Sequence, residues 1–573
     1  MSLNEPSKVA IKLLKERSRD TLIDSLGATM ADMEPDEVVS FFADLLLAVG
    51  ADRDQLKARL TKLLASRFGG TSEKSSTAQL DLFAEVLRVV TERTSAESES
   101  AEDSADLSAS AAALIEQTNE DIKEEAAAER RRRKEEREAR RAAAALERAS
   151  NPNAQRWPEH FPVRHVQVEA SVEERFCGDC EQERRVIREE TSWRLEYRTQ
   201  VEVVVSHLPV LACANHHGGP VSVPVPPKPV DKGQMGFSLA ARVLWLRTTH
   251  NLPVRRIAEM LQAEGVPVSE QMIHTLISTS GERVKPLVNA IRSAVQAAAL
   301  VNLDDTHTDV HEGHRKRKRR RARVWLALGD ERFAYFFATK TWKISEAEQA
   351  LGTITGVLQG DGYKGFPKYA RQHGVQLAGC MDHLRRKLRS AMLTKDPRAI
   401  EAMALVQGMY RVEELARLRR LDADGRLALR QERSLPMMRA LIEWARAVQP
   451  TIVTGSPLGE AWTYLSNQLE PLQLFLSNGV VSIGNSAAER GLRRITIGRK
   501  LWLFFRGQAK LEHVARLMSV VSTARLQSVD ELAYLTWVLE QLARREWSDK
   551  AAEALLPDAW LAALEQKTEE LAG

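Results

Sequence analysis

The sequence predicts a multidomain α+β protein, in which an α/β core is split by an all-helical insertion and preceded by a small β module and helices. Three observations carry that expectation. The chain has 573 residues, which at roughly 100–200 residues per domain is several domains. Apolar periodicity switches along it from helical spacing to strand alternation and back. Residues 301–390 then mix strand and helix signals before an almost wholly helical run at 391–480.

Composition narrows the class. Lys and Arg number 82 against 78 Asp and Glu, a formal charge of +4, so the total betrays no preferred partner. Four cysteines are too few for a disulfide scaffold and suit a reducing compartment. The N-terminus lacks a basic region followed by an apolar core. The longest apolar runs, such as Phe41–Val49, fall short of the ~20 residues a membrane span needs. A soluble, cytoplasmic protein without membrane contact is expected.

The elements follow in chain order. Residues 1–95 read as helical. Leu46, Val49, Leu56, Leu60 and Leu63 follow a 3–4 spacing, with Arg53 and Arg67 intruding at core positions. A leucine-zipper-like coiled coil and ordinary bundle packing both fit. Residues 96–155 form a linker and helix. Ten acids and one lysine fill 96–128 without apolar periodicity, too little to offset the entropy of ordering. Glu129–Arg148 suits an exposed helix, either a solvated spacer or an electrostatic contact to DNA.

Residues 156–228 carry short alternating stretches, with Arg194–Tyr197 and Val201–Val205 expected as strands. Within them, Cys177 and Cys180 form a C-x2-C pair, and Cys213 with His216 forms C-x2-H after 32 intervening residues. Two-residue spacings let both members of a pair reach one tetrahedral ion from a tight turn, so one structural zinc is expected. His217 could replace His216. Four ligands leave no position open for chemistry.

Residues 229–300 return to helix. Leu252, Ile257, Met260 and Leu261 lie at helical spacing up to Gly265, and Ser269 is placed to cap a second helix from Glu270. Such a pair fits a DNA-binding helix-turn-helix, in which Arg255, Arg256 and His274 would meet phosphates or bases, and it fits a plain hairpin.

The core is expected at 301–390 and 481–540, with the insertion at 391–480 and a helical tail at 541–573. Strands are read at Val301–Leu303, Val324–Leu328 and Phe333–Phe337, with eight Lys and Arg at 314–323 between the first two. A helix from Ser345 leads to a strand ending in Gly360-Asp361-Gly362-Tyr363, then to Val375–Cys380 and a helix containing His383–Leu388. This is the element order of an RNase H-like domain. Its first and fourth strands are neighbours, which would bring Asp304 and Asp361 together. Adjacent carboxylates are costly without a cation, and oxygen ligands in a partly hydrated site suit Mg²⁺. The third acid is expected on a later helix as Glu489, with Asn485 or Ser486 as its cap. The 128 positions from Asp361 to Glu489 are accounted for by the insertion. Basic residues flank these acids: Arg317, Lys318 and Arg319; Arg385, Arg386 and Lys387; Arg490, Arg493, Arg494, Arg499 and Lys500. All are candidate phosphate contacts. Trp502 suits an unpaired end base or the core.

At these residues the chain resembles the insertion sequence 66 family of bacterial DDE transposases. The matching pieces are Leu303-Asp-Asp-Thr306, Leu358-Gln-Gly-Asp-Gly-Tyr363, Cys380-Met-Asp-His-Leu-Arg-Arg-Lys-Leu388, Asn485-Ser-Ala-Ala-Glu-Arg-Gly-Leu-Arg-Arg494 and Gly498-Arg-Lys-Leu-Trp-Leu-Phe504. Ser66–Lys74 is similar to the family's segment after its zipper-like helix. The resemblance implies catalytic acids at Asp304, Asp361 and Glu489, and two Mg²⁺ (or Mn²⁺) ions. Cys380 and His383 would support the core. The implied reaction is cleavage and strand transfer of DNA, at the element's terminal inverted repeats and at a target. It also implies a homodimer or larger assembly on DNA, small accessory proteins and a nucleoid location. Three positions depart from the family pattern: Asp305 where Glu is usual, Met381-Asp382 where Trp-Ala is usual, and Gly484 where Asp is common. A DNA-binding regulator without catalysis and a nuclease without joining activity are the rival readings.

Overall fold

The computed structural model describes residues 121–143, 226–312, 318–394, 396–562 and 564, with isolated positions between 201 and 222. The leucine-patterned helix at 46–63, the Ser66–Lys74 segment, the acidic stretch before 121, the strand at 194–197, Arg317 and all four expected zinc ligands lie outside the described residues.

The chain divides into two compact units, residues 1–127 with 226–573, and residues 128–225. In the second unit the described parts are the later turns of helix α1 (121–143) and an antiparallel pair, β1 (Val210–Leu211) with β2 (Val221–Ser222). Val201, Val203 and Val204, expected within a strand, are exposed and have no regular structure. Strand propensity expresses itself only where a partner strand pairs with it, and among the described residues none does so here.

The first unit begins with α2 (Phe237–Thr248), α3 (Val254–Ala263), α4 (Glu270–Arg283) and α5 (Lys285–Gln296). Ser269 caps α4 by accepting from the Met272 N–H at 3.3 Å. A mixed sheet follows: β3 (Leu300–Glu312), β4 (Lys318–Gly329), β5 (Phe333–Thr339), helix α6 (Ile344–Leu351), β6 (Val357–Gln359), α7 (Phe366–His373) and β7 (Leu377–Ala378). The spatial order is β5-β4-β3-β6-β7, antiparallel among β5, β4 and β3 and parallel from β3 through β6 to β7. Connections through α6 and α7 supply the crossovers that parallel strands need.

Next come α8 (Met381–Met392), α9 (Pro397–Arg419), α10 (Ala423–Leu429), a π turn at Arg430–Ser434, α11 (Leu435–Val448), α12 (Pro457–Asn467) and α13 (Leu469–Gln473). The chain then returns to the sheet through α14 (Ser486–Trp502) and β8 (Phe505–Arg506), and finishes with α15 (Gln508–Leu526) and α16 (Glu531–Arg544). Strand β8 pairs in parallel with the far end of β3, Val310 opposite Phe505.

Two apolar cores hold this unit together. One joins α2–α5, the sheet and α14–α16, with Trp325, Phe336, Ile257, Leu244 and Tyr534 among its buried side chains. The helices at 237–296 are therefore packed on the sheet and do not form a module with a core of their own. The stretch after 541, expected as a tail, also joins it: Leu555 is buried, and Trp547 and Trp560 pack against the same core. The second core lies mainly among α8–α13 and takes in Leu300, Val357 and Ala378 of the sheet and Val481 and Ile483 of the loop after α13.

That second core corrects the linker boundary. The described part of helix α1 covers 121–143, and Ile122 is only 1% exposed among the insertion's apolar side chains. Glu125 accepts from Arg419 at 2.7 Å and from Arg433 at 3.0 Å. Ile122 and Ala126, one turn apart, are too few for a periodicity signal. They suffice because the insertion supplies the other wall.

Inside the insertion Arg430 is fully buried. It pairs with Glu413 at 2.7 Å and donates to the carbonyls of Phe475, Asn478 and Val481. This arginine pins the loop that carries the chain from α13 back to α14. A buried guanidinium of this kind is tolerated because its donors are satisfied.

Candidate active site

The site is built where β3 and β6 part. Their parallel register pairs Asn302 with Gln359, so two residues further on Asp304, inside β3, and Asp361, just past the end of β6, stand at the same level. Strand β3 does not end at 303 as expected but runs on to Glu312, because β4 stays paired with it. A buried amide network fixes this level of the two strands. Asn302 Nδ2 donates to Gln359 Oε1 at 2.9 Å, and Gln359 Nε2 donates to the carbonyls of Gly379 and Ser482. On this side β3 has β6 as partner up to Asn302 and β8 from Val310. Between them its edge is open, and unpaired strand carbonyls must find other donors. Helix α14 supplies two: Asn485 Nδ2 donates to Leu303 O at 3.2 Å, and Arg499 Nη1 donates to His307 O at 2.9 Å.

That docking explains two features of the helix. Asn485 stands at the N-cap position but makes no side-chain cap, and Ser486 is already helical. The expected cap is therefore absent: the Asn485 side chain is turned to the β3 edge, where Nδ2 donates, and its Oδ1, which a cap would use, accepts no hydrogen bond. Gly491 lets the helix lie close to the sheet, since a Cβ there would stand 2.4 Å from Leu326 Cδ2. The first turn of α14 then carries Glu489 to the open edge, where the helix N-terminus favours an acid.

Electrostatics show that the acids are close. Burial and then the Asp361 carboxylate push Asp304 up to about 8. The Asp305 N–H, 2.7 Å from Asp304 Oδ1, opposes that shift, while the charges of Asp305 and Glu489 add to it. Asp361 Oδ1 accepts from the Tyr363 N–H at 3.0 Å. Tyr464 Oη donates to the carbonyls of Asp361 and Cys380, tying that strand end to the insertion. Glu489 is engaged differently. Arg386 Nη2 lies 3.0 Å from Oε1 and 3.2 Å from Oε2, and His383 Nε2 lies 3.8 Å from Oε1. Among the described residues no three of the His, Cys, Asp and Glu side chains are gathered into a ready-made cage for an ion.

The neighbours of the acids have defined places. Asp305 pairs with Arg323 at 2.9 Å and accepts from Trp342 Nε1 at 2.9 Å. The Arg323 guanidinium lies over the Trp342 ring, which stacks on Tyr363. Cys380 is buried, its Sγ accepts from the Asn485 N–H at 3.1 Å, and burial pushes its thiol up to about 12. It is thus a neutral contact between α8 and α14. His383 binds protons less readily than a free histidine, through burial and then Arg386. The two other departures from the family pattern meet each other: a Cβ at Gly484 would stand 2.1 Å from Asp382 Oδ2. Asp382 fills that space and accepts from Tyr410 Oη at 2.6 Å.

The expected DNA-contacting cations divide sharply. On α14, Arg490, Arg493 and Lys500 are exposed, while Arg494 pairs with Glu531 at 3.2 Å and Arg499 reaches inward to Thr306 and His307. Arg319 is exposed and paired with Asp309, and Lys318 opens β4. Arg385 pairs with Asp382 over the Tyr410 ring, and Lys387 lies 4.0 Å from Glu460. Arg255 and Arg256 are exposed on α3, the former bonded to Glu259, and His274 on α4 is half-buried. Burial, with Lys510 next, lowers the proton affinity of His274. Trp502 belongs to the core: it is 8% exposed and donates to Asn251 O.

Sequence reasoning missed Arg323, Trp342, Tyr464 and Gln359 as supports of the site. Arg323 closes the basic run and carried a signal of the wrong kind. The others carried none, because their partners lie 20 to more than 100 positions away.

The fold and the site define a mixed α/β protein with a carboxylate cluster at an open strand edge. Residues 232–512 match the transposase IS66 family. The family is one of transposases, whose substrate is DNA. The chain is also 28% identical over 422 residues to the uncharacterized protein y4jD of Sinorhizobium fredii (strain NBRC 101917 / NGR234), covering 71% of this chain and 81% of that protein. A second uncharacterized protein of that strain, y4qI, is 26% identical over 434 residues, 72% of this chain and 79% of its own length. A third, y4hP, is 27% identical over 345 residues, 56% of this chain and 62% of its own. No helix among the described residues is long and apolar enough to cross a membrane.

Proposed function

We propose that the protein is a DDE transposase of a bacterial insertion sequence, with an RNase H-like core in which Asp304, Asp361 and Glu489 act together. The observation that carries this reading is the placement of Asp304 and Asp361 each two residues beyond the paired Asn302 and Gln359 of adjacent parallel strands, with Glu489 presented by the helix that docks on the same edge. The strand order β5-β4-β3-β6-β7, with the first strand of this sheet between its second and fourth, supports the core assignment.

A divalent cation suits this cluster. Asp304 is pushed up to about 8 chiefly by burial and by Asp361, a repulsion that a bound cation relieves. The acids offer only carboxylate oxygens, the donors Mg²⁺ and Mn²⁺ prefer. Asp304, Asp361 and Glu489 would hold two such ions, which supply charge stabilisation to the attacking and leaving oxygens of a phosphodiester. The chain's own work is to hold the acids at fixed height through the Asn302–Gln359 amides and to bind the phosphate backbone. Arg490, Arg493 and Lys500 on the open face of α14 suit that binding, as do Arg319, Arg385, Arg386 and Lys387. Helices α3 and α4 would add a helix-turn-helix contact through Arg255, Arg256 and His274. A structural zinc on Cys177, Cys180, Cys213 and His216 would hold the β module. Two element ends must meet, so a dimer or larger assembly on DNA is part of the reading, with small accessory proteins as further partners.

The test is to incubate the protein with Mg²⁺, a labelled element end and a target plasmid. Joined product is the expected outcome. Cut ends without joining would make the protein a nuclease, and binding without any product would make it a regulator.

A further inference from the structure

We propose that Arg386 is the positioning residue of Glu489 and couples cation capture to DNA engagement. In the DNA-free protein its guanidinium spans the Glu489 carboxylate; a DNA phosphate draws it away and releases the third acid to the other two. The inference rests on reading Asp304, Asp361 and Glu489 as cation ligands.

The three acids are not equivalent. Among the described residues neither Asp304 nor Asp361 has an ion-pair partner, and both bond instead to nearby backbone N–H groups. Glu489 alone is neutralised, by one nitrogen of Arg386 shared between its two oxygens at 3.0 and 3.2 Å. Among the described residues no three such side chains are gathered, and the third acid is held by a cation from α8.

The exposures suit an exchange. The side chain of Arg386 is 47% exposed and that of Glu489 is 20% exposed, so the arginine can swing to solvent while the acid stays inside. A guanidinium binds phosphate through parallel N–H donors as readily as carboxylate, and incoming DNA presents phosphates next to the acids. His383 Nε2, 3.8 Å from the same Glu489 oxygen, limits how far the acid moves when the arginine leaves.

The experiment measures Mn²⁺ binding by electron paramagnetic resonance of free Mn²⁺, on the full chain, with and without a duplex oligonucleotide. Without DNA, Arg386→Gln should bind Mn²⁺ roughly three- to fivefold more tightly than the native protein, the ratio set by loss of one partly exposed ion pair. Duplex should tighten binding to the native protein and leave Arg386→Gln little changed. Arg386→Lys, which keeps the charge and loses the fork, should fall between them. Asp304→Asn serves as the reference. If it weakens Mn²⁺ binding while Arg386→Gln binds no more tightly than native, the coupling is wrong and the carboxylate site stands. If Asp304→Asn binds Mn²⁺ as the native protein does, the ion is not on these acids and both readings fall.

Discussion

Asp304 sets the chemistry of the cluster at the scale of one residue. Its carboxyl is pushed up to about 8, against about 3.9 for an unfolded aspartate. Between those values the folded chain holds a proton that the unfolded chain releases. Stability from this group is therefore full below about pH 4 and is lost as pH rises towards 8. Without metal, Asp304→Asn should match the native protein near pH 4 and exceed its stability at pH 8 by roughly 1–3 kcal/mol. Urea unfolding in a chelator checks this, and a variant less stable than native at pH 8 would refute the crowding. Asp361, just past β6, and Glu489, in the first turn of α14, stand at positions that periodicity marks, whereas Asp304 was expected to close a strand at 301–303 and instead lies inside β3, so its place was legible from the strand order alone. Asp305 was not, since its meaning lies in Arg323 and Trp342, which chain order keeps apart.

At the scale of one element, α14 does two jobs. Its inward side repairs the β3 edge through Asn485 and Arg499, and its outward side carries Arg490, Arg493 and Lys500. Helical spacing places Arg499 opposite Arg490, so that division was readable. Arg494 faces outward by spacing alone, yet Glu531 of α16 covers it. The distinction is measurable. Arg493→Ala and Lys500→Ala should each weaken binding to duplex DNA whatever its sequence and lower the salt slope by about 1. Arg494→Ala should leave that slope unchanged and lower the melting temperature, because it uncovers Glu531, which also holds Arg525, Trp245 and Thr249. Fluorescence anisotropy across a salt series reads both effects. An unchanged slope for Arg493→Ala and Lys500→Ala would remove this face from the DNA path.

Across the whole molecule, segregation matters more than totals. A charge of +4 from 82 basic and 78 acidic residues conceals an acid cluster walled by exposed cations. The mixed sheet and the helical insertion were anticipated because periods of 2 and 3.6 persist long enough to read. The merging of α2–α5 and the stretch after 541 into the sheet's core was not, because which apolar faces meet is settled by packing and leaves no local mark. The same holds for Ile122, buried against a surface nearly 300 residues further along. These long-range contacts hold β3, β6 and α14 in one register, and the proposed chemistry depends on that register.

The most direct test of that dependence is strand joining by Asp304→Ala, with native protein alongside, Mg²⁺, a labelled element end and a target plasmid. Joined and cut products should both disappear while binding of the terminal repeat persists. Strand transfer retained by Asp304→Ala would contradict the assignment of the cluster as the catalytic centre.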